Sequence, residues 1–195
     1  MKGSDKLFFL LATVALLSLS GCSLLNQAKS FDRFVHSTFT LENASFQKVG
    51  GVAMNNGNTL NFSQVMQITG KLLEKKLTTQ VLLTIRVQNP TEGTAAVNGM
   101  DWVMVKDTTV LANGQLTKPV VVKSKQSTTF QVTALFNASK VLNLTNIQQV
   151  VEFFQNPNDT RILNEMGITF KVKPWYKLAG KTHKFPGYVP IKPAS

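Results

Sequence analysis

Apolar and polar side chains alternate along most of the chain after residue 38, most cleanly in Thr78–Gln88 (TTQVLLTIRVQ), where Val81, Leu83, Ile85 and Val87 share one face. That spacing predicts a half-buried strand ending at Asn89-Pro90, because proline cannot donate to a sheet ladder. Thr38–Val49 alternates with one slip near Asn43, which predicts a strand carrying a bulge. Further strands are predicted at Met100–Lys106, Thr108–Leu111, Pro119–Lys123, Thr128–Phe136 and Ile168–Lys173. Tyr176–Ile191 reads as a closing ribbon interrupted at Pro186-Gly187. Asn98-Gly99 and Asn113-Gly114 have the composition of tight hairpin turns.

The period shifts to a helical one twice. Behind Ser63, which can cap a first turn, Val65, Ile68 and Leu72 recur at helical spacing. From Ser139 to Phe154 the apolar positions are Leu144, Ile147, Val151 and Phe154, and Asn156-Pro157 stops the run. A short helical turn is expected near Asp159, with Ile162 and Met166 facing the core. The fold class expected is mainly β: an antiparallel sandwich with one or two helical insertions.

The N-terminus follows a different rule. Met1–Lys6 is polar with two lysines, and Leu7–Leu19 is an apolar run too short for the roughly 20 residues of a bilayer-spanning helix. This is the anatomy of an export signal. Leu19-Ser20-Gly21-Cys22 resembles the lipobox of bacterial lipoproteins, and Cys22 is the only cysteine in the chain. The resemblance implies acyl chains on Cys22 and cleavage before it, so residues 1–21 are read as signal, 22–37 as lipidated cysteine and tether, and 38–195 as one domain. Ser23 in place of an aspartate implies the outer membrane. Because Ser23–Gln27 lacks an acidic run, the periplasmic face is expected rather than the cell surface.

Gln88-Asn89-Pro90, then Val97, Met100, Val103 and Val105, then Val110-Leu111-Ala112-Asn113-Gly114, resemble the late embryogenesis abundant type 2 family, also called the WHy domain. The resemblance runs over roughly Thr38 to Lys173, and the finish around Lys184-Phe185-Pro186-Gly187-Tyr188 looks like that of small Bacteroidetes lipoproteins of this type. It implies an immunoglobulin-like or fibronectin-like sandwich and no catalytic residues. Thr91 follows the proline where the family's usual form has a second asparagine.

Charge adds a candidate surface. The chain carries 21 Lys and Arg against 10 Asp and Glu, a net +11. Lys171, Lys173, Lys177, Lys181, Lys184 and Lys192 fall in the last 29 residues without any acidic residue, interleaved with Trp175, Tyr176, Phe185 and Tyr188. Such a stretch suits anionic lipid, lipopolysaccharide or an acidic polysaccharide; it equally suits a strand edge whose lysines suppress aggregation. An exported basic protein is not expected to meet nucleic acid.

Chemistry is harder to find. No nucleotide-binding, zinc-protease or serine-hydrolase string is present, the acidic residues are scattered singly, and His36 and His183 lie far apart. The expectation is no enzyme, no cofactor and no metal. Met100, Trp102 and Met104 share one strand face, opposite Val103 and Val105, which implies core packing on both sides or a groove for an apolar ligand. Asn89-Pro90 is accounted for by turn structure alone. Asp107-Thr108-Thr109 resembles a short Bacteroidetes O-glycosylation site.

Overall fold

The structure is a computed structural model, and it describes residues 25–54, 60–142, 163 and 166–193. The described chain is mainly β. Its strands are β1 (Thr38–Val49), β2 (Val52–Ala53), β3 (Thr78–Gln88), β4 (Ala95–Val97), β5 (Gly99–Lys106), β6 (Thr109–Leu116), β7 (Val120–Val122), β8 (Ser127–Asn137), β9 (Ile168–Leu178), β10 (Lys181–Lys184) and β11 (Val189–Pro193). Two helices accompany them, α1 over residues 25–35 and α2 at Phe62–Leu73.

The main sheet runs β6-β5-β9-β11-β1-β3-β8, with β10 added to β9 and β2 to β1, and it curls until β6 and β8 approach each other. β4 and β7 form a second, small sheet. All pairs are antiparallel except β1 with β11, where Thr40 lies opposite Lys192. The curled sheet is therefore nearly closed. Registers give it two ends. Thr38, Gln88 and Ser127 lie together at the upper end with the β9–β10 turn, while Val49, Thr79 and Phe136 lie at the lower end beside α2.

Inward positions of β1, β3, β8, β5 and β9 build a single cluster, including Phe39, Leu83, Ile85, Val132, Met100, Met104 and Val172. The inward set on β3 is the one its alternation specifies. β1 breaks register between Leu41 and Asn43, where the pattern slips, and again between Phe46 and Lys48. α2 buries Val65, Ile68 and Leu72. Its cap is Asn61, however, not Ser63: Asn61 Oδ1 accepts from Gln64 N at 2.9 Å and Gln64 Oε1 accepts from Asn61 N at 3.0 Å, a reciprocal capping box.

Other expectations are corrected. Neither Asn-Gly pair makes a hairpin turn. Gly99 starts β5 and Gly114 lies inside β6, which is longer than its apolar pattern implied; the β5–β6 turn is at Asp107, whose φ is 53°. β9 continues through Pro174 to Leu178. Residues 25–35 are helical, not an extended tether, and Phe34 is 0% exposed within the core, 5.4 Å from Phe39. The packed unit thus begins before Thr38. Residues 143–162, with the expected apolar positions from Leu144 to Ile162, lie outside the described residues, as does Cys22.

Candidate functional site

β9 carries the basic stretch, and its alternation decides where the lysines go. Ile168, Phe170 and Val172 point into the core, so Lys171, Lys173 and Lys177 share the outer face. β10 pairs Lys184 with Trp175 and Lys181 with Leu178. By that register Lys184 joins the outer face and Lys181 takes the opposite one. On β11, Ile191 is buried opposite Phe170 and Pro190 lies opposite Lys171, which leaves Lys192 outward on the same face, next to Thr40 of β1. The sequence placed all six lysines in one stretch; the sheet puts five on one face.

That face is not free of acid. β5 lies on the other side of β9, and its register sets Asp101 opposite Lys173. Lys184 Nζ donates to Asp101 Oδ2 at 2.6 Å and Gln115 Nε2 donates to Oδ1 at 2.8 Å. Partial burial pushes the Asp101 carboxyl up, but the hydrogen bonds from Lys184 and Gln115 and the charges of Lys184 and Lys173 outweigh it, so its pKa is lowered. Lys184 is thereby tied down. Lys173 sits near the same carboxylate and also over the Tyr188 ring, 5.7 Å from its centroid. Among the described residues, no ion pair engages Lys171, Lys177, Lys181 or Lys192.

Sequence reasoning missed Asp101 as a partner. A signal was available: Met100, Trp102 and Met104 face the core, so Asp101 must emerge on the opposite side of β5. Trp175 shares that outer face and is only 6% exposed, lying flat across Gly99 on the neighbouring strand.

The upper end joins this ribbon to α1. Gln27 Nε2 donates to the Lys177 carbonyl at 2.7 Å, and the Phe31 and Tyr176 rings lie 4.6 Å apart. Tyr176 in turn stacks with His183 at 5.2 Å. Arg33 lies against Gly93, whose φ of +88° L side chains rarely adopt. Gln27 and Phe31 therefore fix α1 to the ribbon, Arg33 to the turn after β3, and Phe34 to the core.

The remaining candidates separate. His36 is held within its own turn, with Nδ1 2.8 Å from the Asp32 carbonyl, whereas His183 lies on Tyr176. Among the described residues no group of His, Cys, Asp and Glu could hold a metal ion. Asn89 is completely buried. Its Nδ2 donates to the carbonyls of Gly93, Val122 and Lys123 at 2.8–3.3 Å, and its Oδ1 accepts from Thr91 N and Oγ1, so its polar capacity is spent on the turn. Met100, Trp102 and Met104 are core residues, and the space beside Met104 is about 30 Å³, room for about one water molecule and not for an acyl chain. Among the described residues no helix is long and apolar enough to cross a membrane.

No protein-family model and no curated protein matches the chain. Among solved structures, a protein from Archaeoglobus fulgidus is similar with a TM-score of 0.31 and 18% identity, over 59% of this chain and 85% of that one.

Proposed function

We propose that the chain is a lipid-anchored, non-enzymatic module of the cell envelope, held by acyl chains on Cys22 and turned so that the lysine face of β9–β11 meets an anionic lipid surface. One observation carries the reading: α1, which follows Cys22 almost immediately, is fastened to the same ribbon that bears Lys177. Gln27 contacts the Lys177 carbonyl, and the five residues from Cys22 to Gln27 reach at most about 18 Å even when extended. The acyl chains would thus hold Lys177 close to the headgroups. Each lysine near such a surface contributes about 1 kcal/mol, screened over about 8 Å at physiological ionic strength. Orientation is their role, because several acyl chains suffice for attachment. Export to the periplasmic face of the outer membrane, and a sandwich of the late embryogenesis abundant type 2 kind, complete the proposal. The strand ending in Asn89-Pro90 and the β5–β6 hairpin that follows it support the latter.

Two changes test it separately. Cys22→Ala moves the protein from the membrane to the soluble fraction if the anchor is right; retention on the membrane contradicts it. Replacing Lys171, Lys173, Lys177, Lys184 and Lys192 by Gln leaves fractionation unchanged but weakens binding of the Cys22→Ala protein to vesicles containing phosphatidylglycerol at low salt. Binding indifferent to salt and to these substitutions overturns the lysine-face reading.

A further inference from the structure

α2 carries two apolar stripes. Val65, Ile68 and Leu72 make the buried one. Beside it, Phe62, Met66 and Leu73 recur at spacings of four and seven residues and so share a second stripe. This one is bare: Phe62 is 79% exposed, Leu73 73% and Met66 48%. Large apolar side chains scattered singly over a surface need no explanation, but several gathered along one helix mark a contact face. Gly70 lies beside the same stripe, one turn after Met66. Glycine is a poor residue for a helix interior. Gly99 is kept bare by Trp175, whereas a Cβ at Gly70 would meet no atom within 4 Å, so nothing within the fold requires this glycine.

The face is complementary to itself. About a two-fold axis near Ile68, two antiparallel copies of α2 set Phe62 against the partner's Leu73 and Met66 against the partner's Gly70, so the long thioether side chain falls on bare backbone. Charge favours the same direction. Within α2 the charged residue is Lys71, in the last turn; Glu74, Lys75 and Lys76 follow it, and the first turn carries no acidic residue. Antiparallel copies place this charged end beside the partner's uncharged first turn, where Glu74 meets the positive end of the helix dipole. Parallel copies would set the three lysines against their counterparts.

We propose that the Phe62–Leu73 face of α2 is a two-fold contact between two copies of this chain, with Met66 of each copy seated on the partner's Gly70. α2 lies at the lower end, whereas α1 and the β9–β10 turn lie at the upper end with the length of β3 between them. The contact therefore does not depend on the membrane reading.

The test is sedimentation equilibrium of the full chain in density-matched neutral micelles, together with thiol cross-linking. A monomer–dimer equilibrium is expected, with a dissociation constant on the order of 10 μM for a small two-fold interface. Gly70→Gln should weaken it about tenfold or more without lowering the unfolding midpoint, because glutamine is the better helix former and its Cβ meets no neighbour in its own chain. Phe62→Cys and Leu73→Cys, treated with a short bis-maleimide, should cross-link when the two variants are mixed and not when each is alone, with the parent chain as control. That pattern is read independently of the midpoint, so it decides the matter should Gly70→Gln disturb the helix. A monomer at all concentrations up to about 1 mM overturns the proposal. So does a dimer that keeps its affinity in Gly70→Gln, or cross-linking as strong within each variant alone as in the mixture.

Discussion

Trp175 lies flat across Gly99 on the neighbouring strand, so close that a Cβ on Gly99 would collide with the indole ring and with the Leu116 carbonyl. Trp102 and Gly114 repeat the relationship on the inner face, where a Cβ would meet the Trp102 ring at 2.5 Å. In each pair the bare glycine backbone gives the aromatic ring a flat seat, and the ring in turn shields a stretch of strand that would otherwise be weak. Gly99→Ala and Gly114→Ala should therefore each destabilise the protein by about 1–3 kcal/mol through overpacking. Denaturant unfolding measures this, with a change in near-ultraviolet tryptophan dichroism expected alongside.

Asn89 should prove a residue of stability rather than activity. Asn89→Ala leaves the carbonyls of Gly93, Val122 and Lys123 without their shared donor in a buried site, at a cost of about 2–3 kcal/mol. A lowered thermal midpoint with unchanged vesicle binding is the expected pair of results.

These two sites show what the sequence did and did not make legible. Alternation located β1, β3 and β8 nearly residue by residue, because each buries one face against the core and its period is visible locally. Asn-Gly misled because it has the composition of a hairpin turn, whereas Gly99 and Gly114 are glycines for the sake of tryptophans on neighbouring strands. The lysine stretch was legible as a charge run; the pairing of Lys184 with Asp101 was not, since only the β5–β9 and β9–β10 registers bring that carboxylate alongside. α1 was read as a tether although Leu25, Ala28, Phe31, Phe34 and Val35 recur at helical spacing, Phe31 and Phe34 being the ones that hold it.

That docking gives α1 a measurable share of stability. Phe34→Ala should cost about 3–5 kcal/mol, the usual penalty for emptying a buried phenylalanine site. A residue in a free tether would cost nothing, and thermal unfolding of the variant distinguishes the two.

Acid should loosen the ribbon in a defined window. The Asp101 carboxyl is held below its ordinary value of 3.8, so the folded state stabilises the carboxylate. The contribution is fully present above the unfolded value and is lost as pH falls through the lower folded one. For this partly exposed pair the amount is under about 1 kcal/mol. Asp101→Asn should remove that part of the acid dependence, seen as a smaller loss of stability between pH 5 and 2.

Unequal roles for the lysines follow from the same carboxylate. Lys184 is already paired, whereas Lys171 and Lys177 have no acidic partner among the described residues. Lys177→Gln alone should weaken binding to anionic vesicles at low salt more than Lys184→Gln does. Co-sedimentation across a salt series gives the comparison, and equal effects from the two variants would count against the outer face as the contact.

The anchor itself is the claim on which orientation depends, and its most direct measurement is a mass spectrum of the N-terminal peptide of the protein purified from membranes. The account predicts a mature chain that begins at Cys22 and carries the mass of a diacylglyceryl group with a further acyl chain. A peptide retaining Gly21-Cys22 uncleaved, or a Cys22 with a free thiol, would contradict it.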